Sequence, residues 1–154
     1  MFPLMGLVLK YGLFGLFIYS FIVSTIFVPA TVDVVLPIMI SVGLNQYEIL
    51  IVATIGSLLG TWINYYIGYI GSKIIDKHLK EENVIRIKKR VDKYGWLGLL
   101  VIIAIPVFPV DPITVLCGVA RMNFLEFTIV VFLGKLLKYS FVIGIFEFII
   151  KIIA

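Results

Sequence analysis

Among the charged residues that stand in otherwise apolar stretches, Asp33, Asp111, Arg121, Lys135 and Lys138 are the candidates for chemistry. An ionised group loses its hydration in hydrocarbon, so at membrane depth such groups pair, hold an ion or charged ligand, or carry protons. Lys135 and Lys138 are three residues apart, which turns both to one helical face. There they could pair with Asp33 and Asp111 or hold an anion, and a structural ion pair is the plain alternative. Asp111-Pro112 has the form of an N-cap followed by proline at the first helical position. Asp33 falls in the first turn after Pro29, where the helix dipole favours a negative charge. Capping for Asp111 and dipole stabilisation for Asp33 are the plain readings. A carboxylate at membrane depth is costly and usually functional, so function is the favoured reading for both, with capping part of the same job for Asp111. Arg121 reads either as an anion ligand or as an ordinary interfacial arginine.

The acids are positioned by two breaks, FVPATVD at 27–33 and IPVFPVDPIT at 105–114. Pro29, Pro109 and Pro112 remove backbone donors and end helices, so the chain must turn or unwind there. Freed backbone groups in hydrocarbon need protein or water to satisfy them, which makes a break at that depth a candidate site.

The setting is a membrane. Of 154 residues 62% are apolar and 14% charged, and the mean hydropathy is +1.15, far above a soluble domain. This predicts one all-α integral membrane domain over 1–154. Net charge is +4, but the basic residues gather in one loop, where they set topology and meet headgroups; nucleic acid is not an expected partner. The lone Cys117 precludes an intramolecular disulfide, and no metal-ligand spacing occurs. The run after Lys10 has a signal-peptide look but ends without a small-residue cleavage site, so it is expected to be retained.

The chain reads as two units. Tyr11–Val28 is apolar and stops at Pro29; Val34–Val42 is about nine residues, roughly 14 Å of helix and half a bilayer. After a polar turn, Tyr47–Ser72 is a full span. Residues 73–93 form a basic amphipathic segment, with Val84, Ile87, Val91 and Tyr94 on one face, expected to lie on the cytoplasmic surface. Then the pattern restarts: Tyr94-Gly95-Trp96-Leu97-Gly98-Leu99 echoes Tyr11-Gly12-Leu13-Phe14-Gly15-Leu16 at a spacing of 83 residues, and Pro112-Ile113-Thr114-Val115 echoes Pro29-Ala30-Thr31-Val32. Further on the spacing becomes 78, with Asn123 and Glu126 on Asn45 and Glu48 and Gly134-Lys135 on Gly56-Ser57. At the first spacing Asp33 falls on Leu116, so the acids are not expected to be counterparts.

The expected organisation is a first repeat over about 11–72, the linker 73–93 and a second repeat over about 94–153. If each pair of half-helices forms a re-entrant hairpin, each unit crosses once and the repeats are inverted. If each pair spans as a kinked helix, there are four crossings and the repeats are parallel. The acids at the breaks and the alternating-access logic of inverted repeats favour hairpins.

Gly56, Gly60, Asn64 and Gly68 form a small-residue stripe at spacing four, the pattern of close helix packing; Asn64 could also line a polar path. His78, alone among the loop lysines, is expected to be solvated. Trp62 and Tyr139 could anchor or pack. There is no H-E-x-x-H, G-x-S-x-G or Walker sequence, so an enzyme is the weaker class and no cofactor is expected.

These motifs together resemble the DedA superfamily, also called SNARE-associated or VTT-domain proteins, and its small YqaA-like branch in particular. The carriers are FVPATVDVVLP, GSLLGTWINYYIGYIGSK, and YGWLGLLVIIAIPVFPVDPITVLCGVARMNF followed by GKLLKY. The resemblance covers roughly Tyr11 to Phe146. It implies two inverted units with opposed re-entrant hairpins and transport of lipid: a polyprenyl-phosphate carrier in prokaryotic members, phospholipid in eukaryotic relatives. It places the essential acids on Asp33 and Asp111 and the bases on Arg121, Lys135 and Lys138. Better-studied members carry arginines in their second hairpin region, whereas the intramembrane bases here are lysines, which bind phosphate as a point charge. The expected function is therefore a plasma-membrane lipid-phosphate transporter with proton or cation coupling. A small-ion transporter or a non-transporting scaffold is the alternative, and homo-oligomerisation stays open.

Overall fold

The computed structural model describes residues 2–25, 31–75, 89, 93, 95–105 and 111–153. The breaks at Pro29 and Pro109 and nearly all of the basic amphipathic linker, His78 included, lie outside the described residues.

The elements are all helical: α1 (Phe2–Val23), a 3-10 turn (Val32–Val34) running into α2 (Val35–Ser41), α3 (Gln46–Ile75), α4 (Trp96–Ala104), α5 (Asp111–Val119) and α6 (Phe124–Ile153). Among the described residues, three helices are long and apolar enough to cross a membrane, over Met5–Val23, Gln46–Lys73 and Phe124–Ile153. The protein is an all-α membrane protein.

Two boundaries differ from the sequence reading. The first helix begins earlier and ends at Val23, short of Pro29, because the Thr25 hydroxyl donates to the Ile22 carbonyl at 2.7 Å and closes the last turn. It is also not one rod. Gly12, at φ 58°, takes a conformation that side chains resist. The bend brings the Leu7 backbone against Gly15, where any side chain would collide with it. In the second unit Asp111, the first residue described after the break, and Pro112 are already helical, so Asp111 lies within α5.

The two long helices are built alike. Both have 30 residues. Asn45 caps α3 by accepting from the Tyr47 N–H at 2.9 Å, and Asn123 caps α6 by accepting from the Leu125 N–H at 2.9 Å. The helices before them end alike too. Gly43 N donates to the Ile40 carbonyl and Leu44 N to Met39; Arg121 N donates to Gly118 and Met122 N to Cys117. Both are Schellman closures, whose hinge residue is left-handed: Gly43 at φ 92° and Arg121 at φ 55°.

These matches share the 78-residue spacing that also separates Asp33 from Asp111. Counted back from the two closures, the acids therefore occupy the same position. This corrects the expectation drawn from the 83-residue spacing. Five extra residues in the first unit lie between Gly12 and its acid, so the proline motifs are the wrong ruler for the residues after them.

Packing repeats the same order. α1 and α5 lie along α3, whereas α4 and α2 lie along α6. Backbones come close at glycine: a Cβ on Gly56 would meet the Phe17 carbonyl at 2.7 Å, and one on Gly60 the Phe21 carbonyl at 2.5 Å. Gly68 and Gly118 face each other's helices, each against a carbonyl, of Val115 and Tyr65 respectively. Two buried clusters result. One joins α1 and α2 to the first part of α3 and Tyr139–Ile143 of α6; the other joins Tyr65 of α3 to Leu99, Ile103, Met122 and Phe127–Val131.

Candidate functional site

Between the two apolar clusters lies a polar one, where residues flanking both breaks (Ser24, Asp33, Asp111 and Thr114) meet the two long helices. Lys138 Nζ stands 2.9 Å from Asp33 Oδ2, with both side chains buried. One turn earlier on α6, Lys135 is only 2% exposed. Its ammonium donates to Ser24 Oγ and to the Ser57 carbonyl, both at 3.3 Å. Tyr139 donates to Ser57 Oγ at 3.0 Å. Asp111, at the start of α5, lies within electrostatic reach of Lys135, Lys138 and Asp33.

Asn64 ties the two breaks together. Its Nδ2 donates to the Ser24 carbonyl at 3.0 Å and to Thr114 Oγ1 at 3.1 Å, and Thr114 in turn donates to the Asp111 carbonyl at 2.7 Å. A member of the small-residue stripe thus bridges the end of α1 and the first turn of α5. Of the rest of that stripe, Gly56 and Gly60 meet α1 and Gly68 meets α5.

The arrangement brings together four of the five charged residues singled out from sequence: Asp33, Asp111, Lys135 and Lys138. Arg121 is elsewhere, at the far end of α5, where its Nε donates to Ser72 Oγ at 3.2 Å. Its guanidinium lies 6.0 Å from the centre of the Tyr69 ring, which also has Lys73 Nζ at 4.8 Å. Pro112 sits in the first turn of α5 beside Asp111.

Sequence reasoning missed Ser24, Ser57 and Thr114 and gave Tyr139 no role. A signal was present on α3: Thr54, Ser57, Thr61 and Asn64, all fully buried, recur at 3-4-3 spacing and so share one face. The glycines between them drew the reading toward packing alone.

Four ionisable groups of balanced charge, two carboxylates and two ammoniums, give the cluster no net charge when all are ionised. Protonating one carboxylate leaves it net positive and able to receive an anion; deprotonation restores neutrality and expels it. Because Asp33, Lys135 and Lys138 are buried and Asp111 is half-buried, each such step acts at reduced dielectric, where the change in attraction is large. The cluster is suited to binding an anion together with a proton.

Fold and site together define an integral membrane protein with a buried, charge-balanced polar centre on its long helices. The chain belongs to the VTT-domain family, whose domain it matches over residues 22–148. A Methanocaldococcus jannaschii protein, MJ0201, is 30% identical over 141 residues, covering 91% of this chain and 87% of that protein. Undecaprenyl phosphate transporter A of Staphylococcus aureus is 35% identical over 101 residues, covering 59% of this chain and 49% of the transporter. No solved structure matches.

Proposed function

We propose that this protein is a transporter, not an enzyme, that carries an anionic lipid phosphate, a polyprenyl-phosphate carrier or a phospholipid headgroup, across the plasma membrane with proton coupling. The observation that carries the reading is the buried cluster of Lys135 and Lys138 against Asp33 and Asp111. A relative named as an undecaprenyl phosphate transporter supports the substrate class.

The lipid phosphate enters on the ammonium of Lys135, which now rests on neutral oxygens, with the positive dipole end of α5 nearby favouring an anion. Asp33 or Asp111 takes up the accompanying proton. Movement arises from two opposed re-entrant hairpins, α1–α2 and α4–α5, in inverted units, with the 73–93 loop cytoplasmic. In support, Arg121 beyond α5 touches Ser72 near the end of α3, whereas Ile103 near the end of α4 meets Gly134 in the middle of α6.

Reconstitution into liposomes with isotopically labelled prenyl phosphate tests the reading. Transport should exceed that of empty liposomes and depend on a pH gradient. A rate equal to empty liposomes across several lipid phosphates would end it, and ion flux without lipid movement would assign the cluster to small-ion transport.

A further inference from the structure

The two ends of the long-helix pair are not equivalent. Near the start of α6, Phe124 is enclosed by Trp62, Tyr65 and Tyr66 of α3, at ring-centre distances of 5.5, 5.4 and 5.4 Å. Tyr69 stacks on Tyr65 and extends the plug. At the other end, the residues 78 positions removed from Trp62, Tyr65, Tyr66 and Tyr69 are Ser140, Ile143, Gly144 and Glu147. There the start of α3 meets the later part of α6, and instead of a plug there is a cleft of about 240 Å³ lined by Gln46, Tyr47, Leu50, Ser140, Ile143, Gly144 and Glu147.

Gly144 has no packing reason to be glycine. A Cβ there would meet nothing within 4 Å, unlike Gly56, Gly60, Gly68, Gly118 and Gly134. It lies inside a helix, where glycine is a poor residue. What the small residues at 140 and 144 do is leave the cleft open. Glu147 is its only charged lining residue and has no hydrogen-bond or ion-pair partner among the described residues. Gln46, Tyr47 and Ser140 add neutral oxygens. The cleft sits at the first turn of a membrane-spanning helix, the level at which headgroups lie, with Phe141, Ile145 and Phe148 exposed alongside for acyl chains.

We propose that this cleft binds a phospholipid bearing a primary ammonium, the carboxylate of Glu147 and the neutral oxygens accepting its three N–H groups. A lone carboxylate among oxygen acceptors complements a primary ammonium and repels an anionic headgroup. The assignment is independent of the transport reading and separate from the lysine cluster.

The full chain, purified and incubated with equal amounts of phosphatidylethanolamine, phosphatidylcholine and phosphatidylglycerol of matched chains, is measured by native mass spectrometry. Phosphatidylethanolamine should be retained over phosphatidylglycerol by roughly fivefold, the scale of an exposed ion pair. Glu147→Gln should abolish that preference, and Gly144→Tyr with Ser140→Trp, which rebuilds the aromatic plug, should abolish retention. Should the plug variant fail to fold, the near-isosteric Glu147→Gln still decides. Equal retention of all three lipids, phosphatidylcholine retained as well as phosphatidylethanolamine, or a preference that survives Glu147→Gln would each overturn the proposal.

Discussion

Lys135 donates a hydrogen bond from its Nζ to the backbone carbonyl of Ser57, its own counterpart 78 residues earlier. Under the inverted arrangement proposed above, a contact between equivalent positions lies near the axis relating the two halves. The side chains at corresponding positions are nevertheless unlike: Lys135 and Lys138 on α6 correspond to Ser57 and Gly60 on α3, whereas an acid, Asp33 or Asp111, is present in each half. The two carboxylates must therefore share lysines that come from one helix, and here Lys138 is with Asp33.

That pairing has a stability signature. Removing one partner strands the other charge in the interior, at a cost of about 3–5 kcal/mol. Lys138→Met and Asp33→Asn should each lower the unfolding midpoint in detergent markedly, and the double substitution should lose less than the two together. Strict additivity in this cycle would show that the two groups do not interact.

Asp111 is placed differently, without a carboxylate–ammonium contact at ion-pair distance among the described residues. Asp111→Asn should thus cost less stability than Asp33→Asn, by about 2 kcal/mol, while prenyl-phosphate transport driven by a pH gradient is lost. A stable Asp111→Asn protein with wild-type gradient-driven transport would remove the acid from the mechanism.

Arg121 makes a sharper case for function than for structure. It occupies the left-handed hinge of a closure whose counterpart is Gly43, where a side chain costs about 1 kcal/mol or more. Arg121→Gly should relieve that strain while losing the Ser72 and Tyr69 contacts, so thermal stability should change by less than about 1 kcal/mol. If the guanidinium helps load an anionic headgroup, transport at limiting lipid should fall while saturated transport changes less. Unchanged transport at every lipid concentration would leave Arg121 an interfacial residue.

The legible and illegible parts of this chain have physical reasons. Spans, breaks and charged residues could be read because hydrocarbon makes charge and proline conspicuous. The pairing Lys138–Asp33 could not be chosen over Lys138–Asp111, since both acids sit at the starts of short helices and spacing constrains only residues on the same helix. The equivalence of the acids was hidden by the proline motifs, which suggested a register that the Gly43 and Arg121 closures do not share. Ser24, Ser57 and Thr114 were invisible for another reason: small hydroxyl residues are common in membrane helices, and their partners come from distant parts of the chain.

Glycine packing can be tested separately from the charges. Gly68 and Gly118 each face a backbone carbonyl across the α3–α5 contact, so a side chain cannot be accommodated by rotating a neighbour. Gly68→Leu and Gly118→Leu should each destabilise by at least about 1–3 kcal/mol. Gly71→Ala, where a Cβ would meet open space, should be tolerated. Equal tolerance at all three positions in thermal unfolding would mean that the helices do not approach so closely.

The mechanism finally depends on which side each end of the chain faces. If α1 with α2 and α4 with α5 are hairpins that enter and leave on one side, Lys10 and Asn45 share a face, opposite residues 73–93. Val8, two residues before Lys10, is buried in the same cluster as Ile49, four residues after Asn45. Trp96, at the start of α4, lines one groove with Asn123 and Leu125 at the start of α6. With Cys117 replaced by serine, single cysteines at positions 10, 45 and 89 can be challenged with an impermeant maleimide in oriented vesicles. Positions 10 and 45 should label from one face and 89 from the other. Labelling of 10 and 45 from opposite faces would require four spans and parallel units, and the lipid would then lack equivalent entry paths on the two sides of the membrane.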